Sequence, residues 1–405
     1  MEVVVERCCG LDVHKKNVVA CVRTSEGEQV RSFGTVTREL LRLLEWLQQE
    51  RVTVLAMEST GSYWKPVYNL LEGQGIELML VNPAHMKAVP GRKTDVKDAQ
   101  WIADLLRHGL LTASRIPERP QRELQEAVRY RQRLIEDRAD EVRRLQKVLE
   151  GGNIKLGDVA TDVLGRSGRT MLEQLASGET DSDRMAGSAQ GRLRNKRVAL
   201  SLALEGSIGP HQRFMLKRLL EHIDFLEEQI ETLGQEIEAR MRPFELVVAR
   251  LDQIPGIGRR NAERILAEVG IDMSYWRNDK AFASWAKLCP SNNESAGKRR
   301  SSWIGPGNQS LRGALVEAAH SATRVQSSYF SALYHRLKAK RGAKRALIAV
   351  AHAILVTIYH LLKDGTYYQD LGRDHFDRHD RDTLVQRNVR RLERLGYHVS
   401  LTPAA

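Results

Sequence analysis

Short β-branched apolar runs fill the first third of the chain, and helical spacing of apolar residues fills most of the rest. Residues 6–36 hold three such runs, broken by polar turns at Lys15-Lys16-Asn17 and Ser25-Glu26-Gly27-Glu28. That pattern predicts a meander of antiparallel strands. Thr37 opens a helical pattern over 37–50, with Leu40, Leu41, Leu43, Leu44 and Leu47 on its apolar side. Val52–Met57 reads as a buried strand, Ser62–Glu72 as a helix ended by Gly73, and Ile76–Val81 as a further strand stopped by Asn82-Pro83. Asp95–Arg107 predicts a helix with Ala99, Ile102, Ala103, Leu105 and Leu106 apolar.

Pro117 and Pro120 mark a boundary. Beyond it, Val128, Ile135, Val142 and Leu149 recur in sevens, and a second heptad run follows at Leu216, Leu219, Ile223, Leu226, Ile230, Leu233 and Ile237. Two such helices pair as a hairpin or with a second subunit, which predicts a coiled-coil linker. The polar, Gly-rich stretch from Gly151 to about Gly191 between them reads as loop. Near Pro243 the character changes again. Ile254-Pro255-Gly256-Ile257-Gly258-Arg259-Arg260 has the form of a helix-hairpin-helix turn ahead of a helix over Asn261–Val269. A helix ending near Trp285, a polar basic segment over 288–300, a helix entered through Gly305-Pro306-Gly307-Asn308 and an apolar helix over Ala346–Leu362 complete this part. After Asp364 the chain is rich in Arg, Asp and His and reads as a solvated tail; Asp374, His375, Asp377, His379 and Asp380 there are taken as surface charge, not as a metal site. The domain expectation is therefore 1–116, 117–245, 246–365 and 366–405.

The element order βββαβαβα over the first domain is that of an RNase H-like fold, so the chain is expected to be α/β followed by α. A formal net charge of +12 over 405 residues points to a polyanionic partner, with nucleic acid the commonest. The four cysteines, Cys8, Cys9, Cys21 and Cys289, have neither metal-ligand nor redox spacing and read as buried thiols of a reducing compartment. No signal peptide or membrane-spanning run is evident, so a cytoplasmic protein with no membrane partner is expected.

Four carboxylates stand out against this background. Asp12 interrupts an apolar run, where an acid is costly to bury without a partner such as a cation or a structural hydrogen-bond donor. Glu58 ends a second apolar run, and Asp95 and Asp98 lie three residues apart on one helix face. Acids delivered from two strand ends and one helix suit a pair of Mg²⁺ ions for phosphoryl transfer, with metals roughly 4 Å apart. Ser295, beside Gly297 and Lys298-Arg299-Arg300, lies where a phosphodiester can be held, though a serine needs an activating base or metal and none is identified by its neighbours.

Taken together, Gly10-Leu11-Asp12-Val13-His14-Lys15, Glu58-Ser59-Thr60-Gly61-Ser62-Tyr63, Asn82-Pro83 and Lys93-Thr94-Asp95-Val96-Lys97-Asp98-Ala99 resemble the N-terminal motifs of DEDD-type insertion-sequence transposases. Pro255-Gly256-Ile257-Gly258, the Pro290–Lys298 segment and Gly307-Asn308-Gln309-Ser310-Leu311-Arg312 resemble their C-terminal domain. The resemblance implies a RuvC-like domain with Asp12, Glu58, Asp95 and Asp98 as the acidic tetrad. It also implies Ser295 as a nucleophile that joins covalently to DNA, a site shared between subunits of a dimer or tetramer, and guidance by a structured RNA. Lys15, Lys93, Gly256, Gly258, Arg259, Arg260, Lys298, Arg299, Arg300 and Arg312 are the expected nucleic-acid contacts. Ala296 and Pro306 depart from the family pattern, which often has Gly after the serine and a basic residue before the Gly-Asn pair. Two competing readings are a RuvC-like nuclease or junction resolvase that uses water, and a non-catalytic nucleic-acid-binding scaffold.

Overall fold

The computed structural model describes residues 2–59, 61–82, 95–289, 293–295, 298–301, 307–379 and 381–401. It divides into two compact units, Met1–Arg119 and Pro120–Ala405.

The first unit is built on a mixed five-stranded sheet. Strands β1 (Cys8–Val13), β2 (Asn17–Thr24) and β3 (Gly27–Gly34) form the antiparallel meander. Helix α1 (Thr37–Gln49), β4 (Val54–Glu58), α2 (Trp64–Leu71), β5 (Glu77–Val81) and α3 (Asp95–Arg107) follow. The strand order is β3-β2-β1-β4-β5, with β4 parallel to both β1 and β5. This arrangement is consistent with an RNase H-like domain. Because side chains alternate across a strand, β1 has two different faces. Cys9, Leu11 and Val13 join Leu43, Leu47, Leu55, Met57 and Leu71 in the core under α1 and α2. Cys8 packs on the opposite face, with Ala56, Ile102 and Leu106. Gly10 lies on that face too: a Cβ there would fall 2.3 Å from the Ala99 carbonyl oxygen and 2.4 Å from the Ala103 nitrogen. Only glycine lets α3 seat this closely on β1.

The second unit begins with α4 (Arg119–Gly151), which runs antiparallel to a second long helix, α9 (Pro210–Met241). Leu134 packs with Leu226 and Ile230, and the pairs Arg240–Glu123, Arg138–Glu227 and His222–Glu141 mark successive levels along the hairpin. The 151–191 stretch expected as loop is instead largely helical, with α5 (Leu156–Val159), α6 (Arg166–Ser177) and α7 (Ser182–Gly187), followed by α8 (Arg197–Leu204). Ile154, Leu156, Met171, Leu172, Leu175, Met185 and Leu200 form a core of their own against Leu145, Leu149, Leu216, Leu219 and Ile223 of the long helices. The Leu219–Ile230 stripe is consequently buried within one chain, and it gives no support to the expectation that these helices are held by a second subunit.

The rest of the second unit is a helical bundle: α10 (Glu245–Asp252), α11 (Arg259–Val269), α12 (Asp279–Trp285), the hairpin strands β6 (Asn293–Ser295) and β7 (Lys298–Ser301), α13 (Gln309–Ala322), α14 (Tyr329–Arg341) and α15 (Ala343–Asp364). Helix α15 is long and apolar enough to cross a membrane, but half of its most apolar stretch is buried in the protein, where Val350, Ile354, Ile358 and Tyr359 pack in the core of the bundle. The expected tail is only partly solvated. Tyr368 stacks on Phe330 and Phe376 on Tyr329, while the Tyr329 amide donates to Asp370. Residues from Tyr367 to Phe376 therefore belong to the bundle surface. Helices α16 (His375–His379) and α17 (Arg381–Arg394) follow.

Candidate catalytic site and nucleic-acid interface

Asp12 is the fifth residue of β1 and Glu58 the last of β4. The parallel register pairs Gly10 with Ala56 and Leu11 with Met57, so Asp12 and Glu58 each lie one step beyond. They occupy the same end and the same face of two neighbouring strands, the face on which α3 lies. Asp12 is buried, 8% exposed, and Glu58 is half-buried. The Nε2 atom of His14 stands 3.0 Å from Oδ2 of Asp12. Sequence reading placed His14 in a motif without giving it a role; the Asp-x-His spacing, which puts both residues on one side of an extended chain, is the signal that could have found it.

Asp95 and Asp98 lie in the first turn of α3, and Ala99 and Ala103 of that helix bear on β1 and β2. Asp98 is half-buried; the side chain of Asp95 lies outside the described residues. Among the described residues, no three His, Cys, Asp or Glu side chains stand close enough to hold a metal ion. The donor set is nevertheless of the right kind for Mg²⁺, which takes hard carboxylate oxygens.

The serine segment, read as a polar loop, is a two-stranded hairpin. Ser295 is the last residue of β6 and pairs with Lys298, the first of β7; Glu294 pairs with Arg299 and Asn293 with Ser301. The side chains of Ser295, Lys298, Arg299 and Arg300, and all of Lys93, lie outside the described residues. The helix after the hairpin is firmly anchored. Asn308 caps α13 by accepting from the Leu311 amide, and its Nδ2 donates to Glu268 at 2.7 Å. Glu268, fully buried, also accepts two 2.7 Å bonds from Arg129 of α4.

The helix-hairpin-helix-like turn lies between α10 and α11. Gly256 has φ +89°, and a Cβ there would fall 2.2 Å from the Ala318 carbonyl oxygen. Its glycine is thus required by close packing on α13. Gly258, the cap of α11, has open space where a Cβ would be. Arg259 and Arg260 are the first residues of α11, so the helix starts two residues before the expected Asn261. Arg259 is held by Glu245 at 2.6 and 2.8 Å, whereas Arg260 is exposed and has no ion-pair partner among the described residues. Arg312 donates to the Lys287 carbonyl, and Lys15 is exposed in the turn after β1.

A sheet-borne pair of acids under a helix carrying two more, followed by a basic helical region, defines the class of DNA-processing transposases. Comparison with known proteins agrees. A DEDD-type family model of the IS110 group, described as "Transposase", matches residues 9–154, and the model "Transposase IS116/IS110/IS902 family" matches residues 248–335. Among curated proteins, the chain is 24% identical over 357 residues to "Putative transposase y4pF/y4sB" of Sinorhizobium fredii, covering 84% of this chain and 82% of that one. It is 29% identical over 137 residues to "Putative transposase y4qE" of the same organism, covering 32% and 35%. The chain belongs to the DEDD-type insertion-sequence transposases of the IS110/IS116/IS902 family.

Proposed function

We propose that this transposase cuts and rejoins the DNA of its insertion sequence using Asp12, Glu58, Asp95 and Asp98 as metal-binding acids and Ser295 as nucleophile. The observation that carries the reading is the β1–β4 register, which sets Asp12 and Glu58 side by side beneath α3. Bound Mg²⁺ would supply charge neutralisation for the attacked phosphate and lower the pKa of an attacking oxygen. The four carboxylates hold the cation site. The apolar core under β1 and β4 fixes their spacing. Ser295 Oγ attacks the phosphorus; its proton leaves to a nearby acceptor, the Oγ–P bond forms, and the P–O bond to the leaving DNA hydroxyl breaks. Rejoining is the reverse with a different DNA hydroxyl, so the phosphodiester energy is conserved without a nucleotide cofactor. Lys298, Arg299 and Arg300 follow the serine and supply positive charge for the phosphate. A structured guide RNA is the proposed source of sequence choice, because the proposed basic contacts suit phosphates better than base edges.

The test is chemical. The protein is incubated with Mg²⁺, DNA carrying the element ends and RNA transcribed from the element, then denatured, and protein-linked DNA is measured. An adduct that disappears in Ser295→Ala, with DNA binding retained, supports the reading. Cutting and joining that persist in Ser295→Ala would instead favour a water-using RuvC-like nuclease.

A further inference from the structure

A cleft of about 200 Å³ lies between α4, α11 and α13, lined by Arg131, Gln132, Arg260, Asn261, Arg264 and Glu317. Its basic groups are in different electrostatic states. Arg131 is buried and neutralised by Glu263 at 2.8 Å. Arg264 is nearly as deep, with its side chain 11% exposed, yet its hydrogen bonds are weak: Ser310 Oγ and Glu317 Oε2, both at 3.5 Å. A guanidinium carries five N–H donors, and a well-made carboxylate pair sits at about 2.7–2.9 Å. The nearby pairs Arg129–Glu268 and Arg259–Glu245 reach that range; Arg264 does not. Burial pushes its pKa down, the mark of a charge short of compensation. Arg260 lies one helical turn earlier, on the same face of α11, exposed and without an ion-pair partner among the described residues. Asn261, between them, is fixed by donating to the Ala314 carbonyl.

We infer that this cleft is a backbone-phosphate site for DNA, with Arg264 as its floor and Arg260 as its rim. A phosphodiester oxygen supplies the compact, acceptor-only anion that Arg264 lacks, and the positive end of the α11 dipole adds to the attraction. Glu317 is the one acid in the lining. It is 66% exposed at the side chain and held only by the 3.5 Å contact, so it can swing to solvent when a phosphate enters. The site adds a binding locus on the linker side of α11, distinct from the serine hairpin. It rests on the transposase reading only in choosing DNA as the anion's source.

The experiment measures binding of full-length protein to a fluorescein-labelled DNA duplex of arbitrary sequence across a range of salt concentrations. A parallel arm uses single-stranded RNA of equal length, and a third measures melting in inorganic phosphate. Each lost phosphate contact reduces the log-affinity against log-salt slope by about 0.9 for duplex DNA. Arg264→Gln and Arg260→Gln are each expected to lower the slope by about one, and the double variant by about two, with the same loss on every sequence tried. Arg264→Lys is expected to keep the slope. Arg260 is exposed, so Arg260→Gln stays informative if Arg264→Gln fails to fold. An unchanged slope in folded Arg260→Gln overturns the inference. So does a change confined to RNA, or a response to inorganic phosphate with none to DNA. Loss of the serine–DNA adduct in a separate assay would not alter these slopes, so the two readings fail independently.

Discussion

The two units bury their acids in different company. In the helical unit Glu141, Glu263 and Glu268 are almost fully buried, and each meets a guanidinium: Arg144, Arg131 and Arg129. In the sheet unit, Asp12 is buried beside an imidazole, with a second acid, Glu58, at the matching position of the next strand. An acid facing an arginine is neutralised by the fold itself. An acid placed next to other acids repels them and is poised to accept a cation. The first arrangement ties helices together across long sequence separations, and the second is the form a metal-dependent site requires.

The largest expected effect is on activity. Asp12→Ala, Glu58→Ala, Asp95→Ala and Asp98→Ala should each reduce recombination to background. Melting in the absence of metal should move little, by under about 1 kcal/mol, because removing a repelling acid deprives the core of nothing. Full strand exchange by any one of them would remove that residue from the site. Glu268→Ala should behave in the opposite way. It strands the Arg129 guanidinium and releases the α13 cap at Asn308, so a loss of about 3–5 kcal/mol is expected on thermal or urea unfolding. If Asp12→Ala and Glu268→Ala proved equally destabilising, the distinction between the two kinds of acid would collapse.

The next effect concerns the hairpin, whose apolar stripe reads in sequence as a seam between subunits. In the structure Ile223 is fully buried among the helices at the hairpin tip, and Leu226 and Ile230 face Leu134. Ile223→Ala should therefore lower stability by about 2–4 kcal/mol while leaving the oligomeric state, read by light scattering, as it is in the parent protein. Dissociation of an oligomer without loss of protomer stability would restore the seam. This is also where the sequence was least legible. The strands of the first unit follow period-two patterns and buried runs, and helix Asp95–Arg107 appears with the bounds its apolar spacing predicts. The insert between the long helices is different. Its apolar residues sit on helices of four to twelve residues, too short for periodicity to show, and gain burial only from Leu145, Leu149 and Leu216 of the flanking helices. The site was legible as residue types but not as geometry. Gly10 lies in the motif that suggested Asp12, yet nothing local says that α3 rests on it. Arg129 and Glu268 are 139 residues apart, beyond any local pattern.

The smallest expected effect at neutral pH separates the units by their thiols. Cys8, Cys9 and Cys21 are fully buried in the sheet unit, and Cys289 is half-buried in the helical one. Burial pushes the Cys8 thiol up to about 11 and the Cys21 thiol up to about 12, and raises Cys9 as well, because the thiolate cannot be solvated there. A thiol of ordinary value in the unfolded chain begins to lose its proton near pH 9, while the folded one keeps it. The unfolded state therefore gains stability as pH rises from 9, until the folded thiols titrate in turn at 11–12. The contribution is about 1 kcal/mol per thiol at pH 9.5 and vanishes below pH 8. Cys8→Ala/Cys21→Ala should flatten the alkaline decline of the sheet unit's unfolding free energy between pH 8.5 and 10. The helical unit contributes less in this window, since Tyr329 and Tyr368, raised by burial in the same sense, have ordinary values near 10. Alkylation followed by peptide mapping gives the companion measurement: at pH 8.5 the native protein should label at Cys289, and at the other three only once urea unfolds the sheet. Rapid native labelling of Cys8 or Cys21 would mean that α3 lifts from the sheet in solution, and with it the face that carries Asp12 and Glu58.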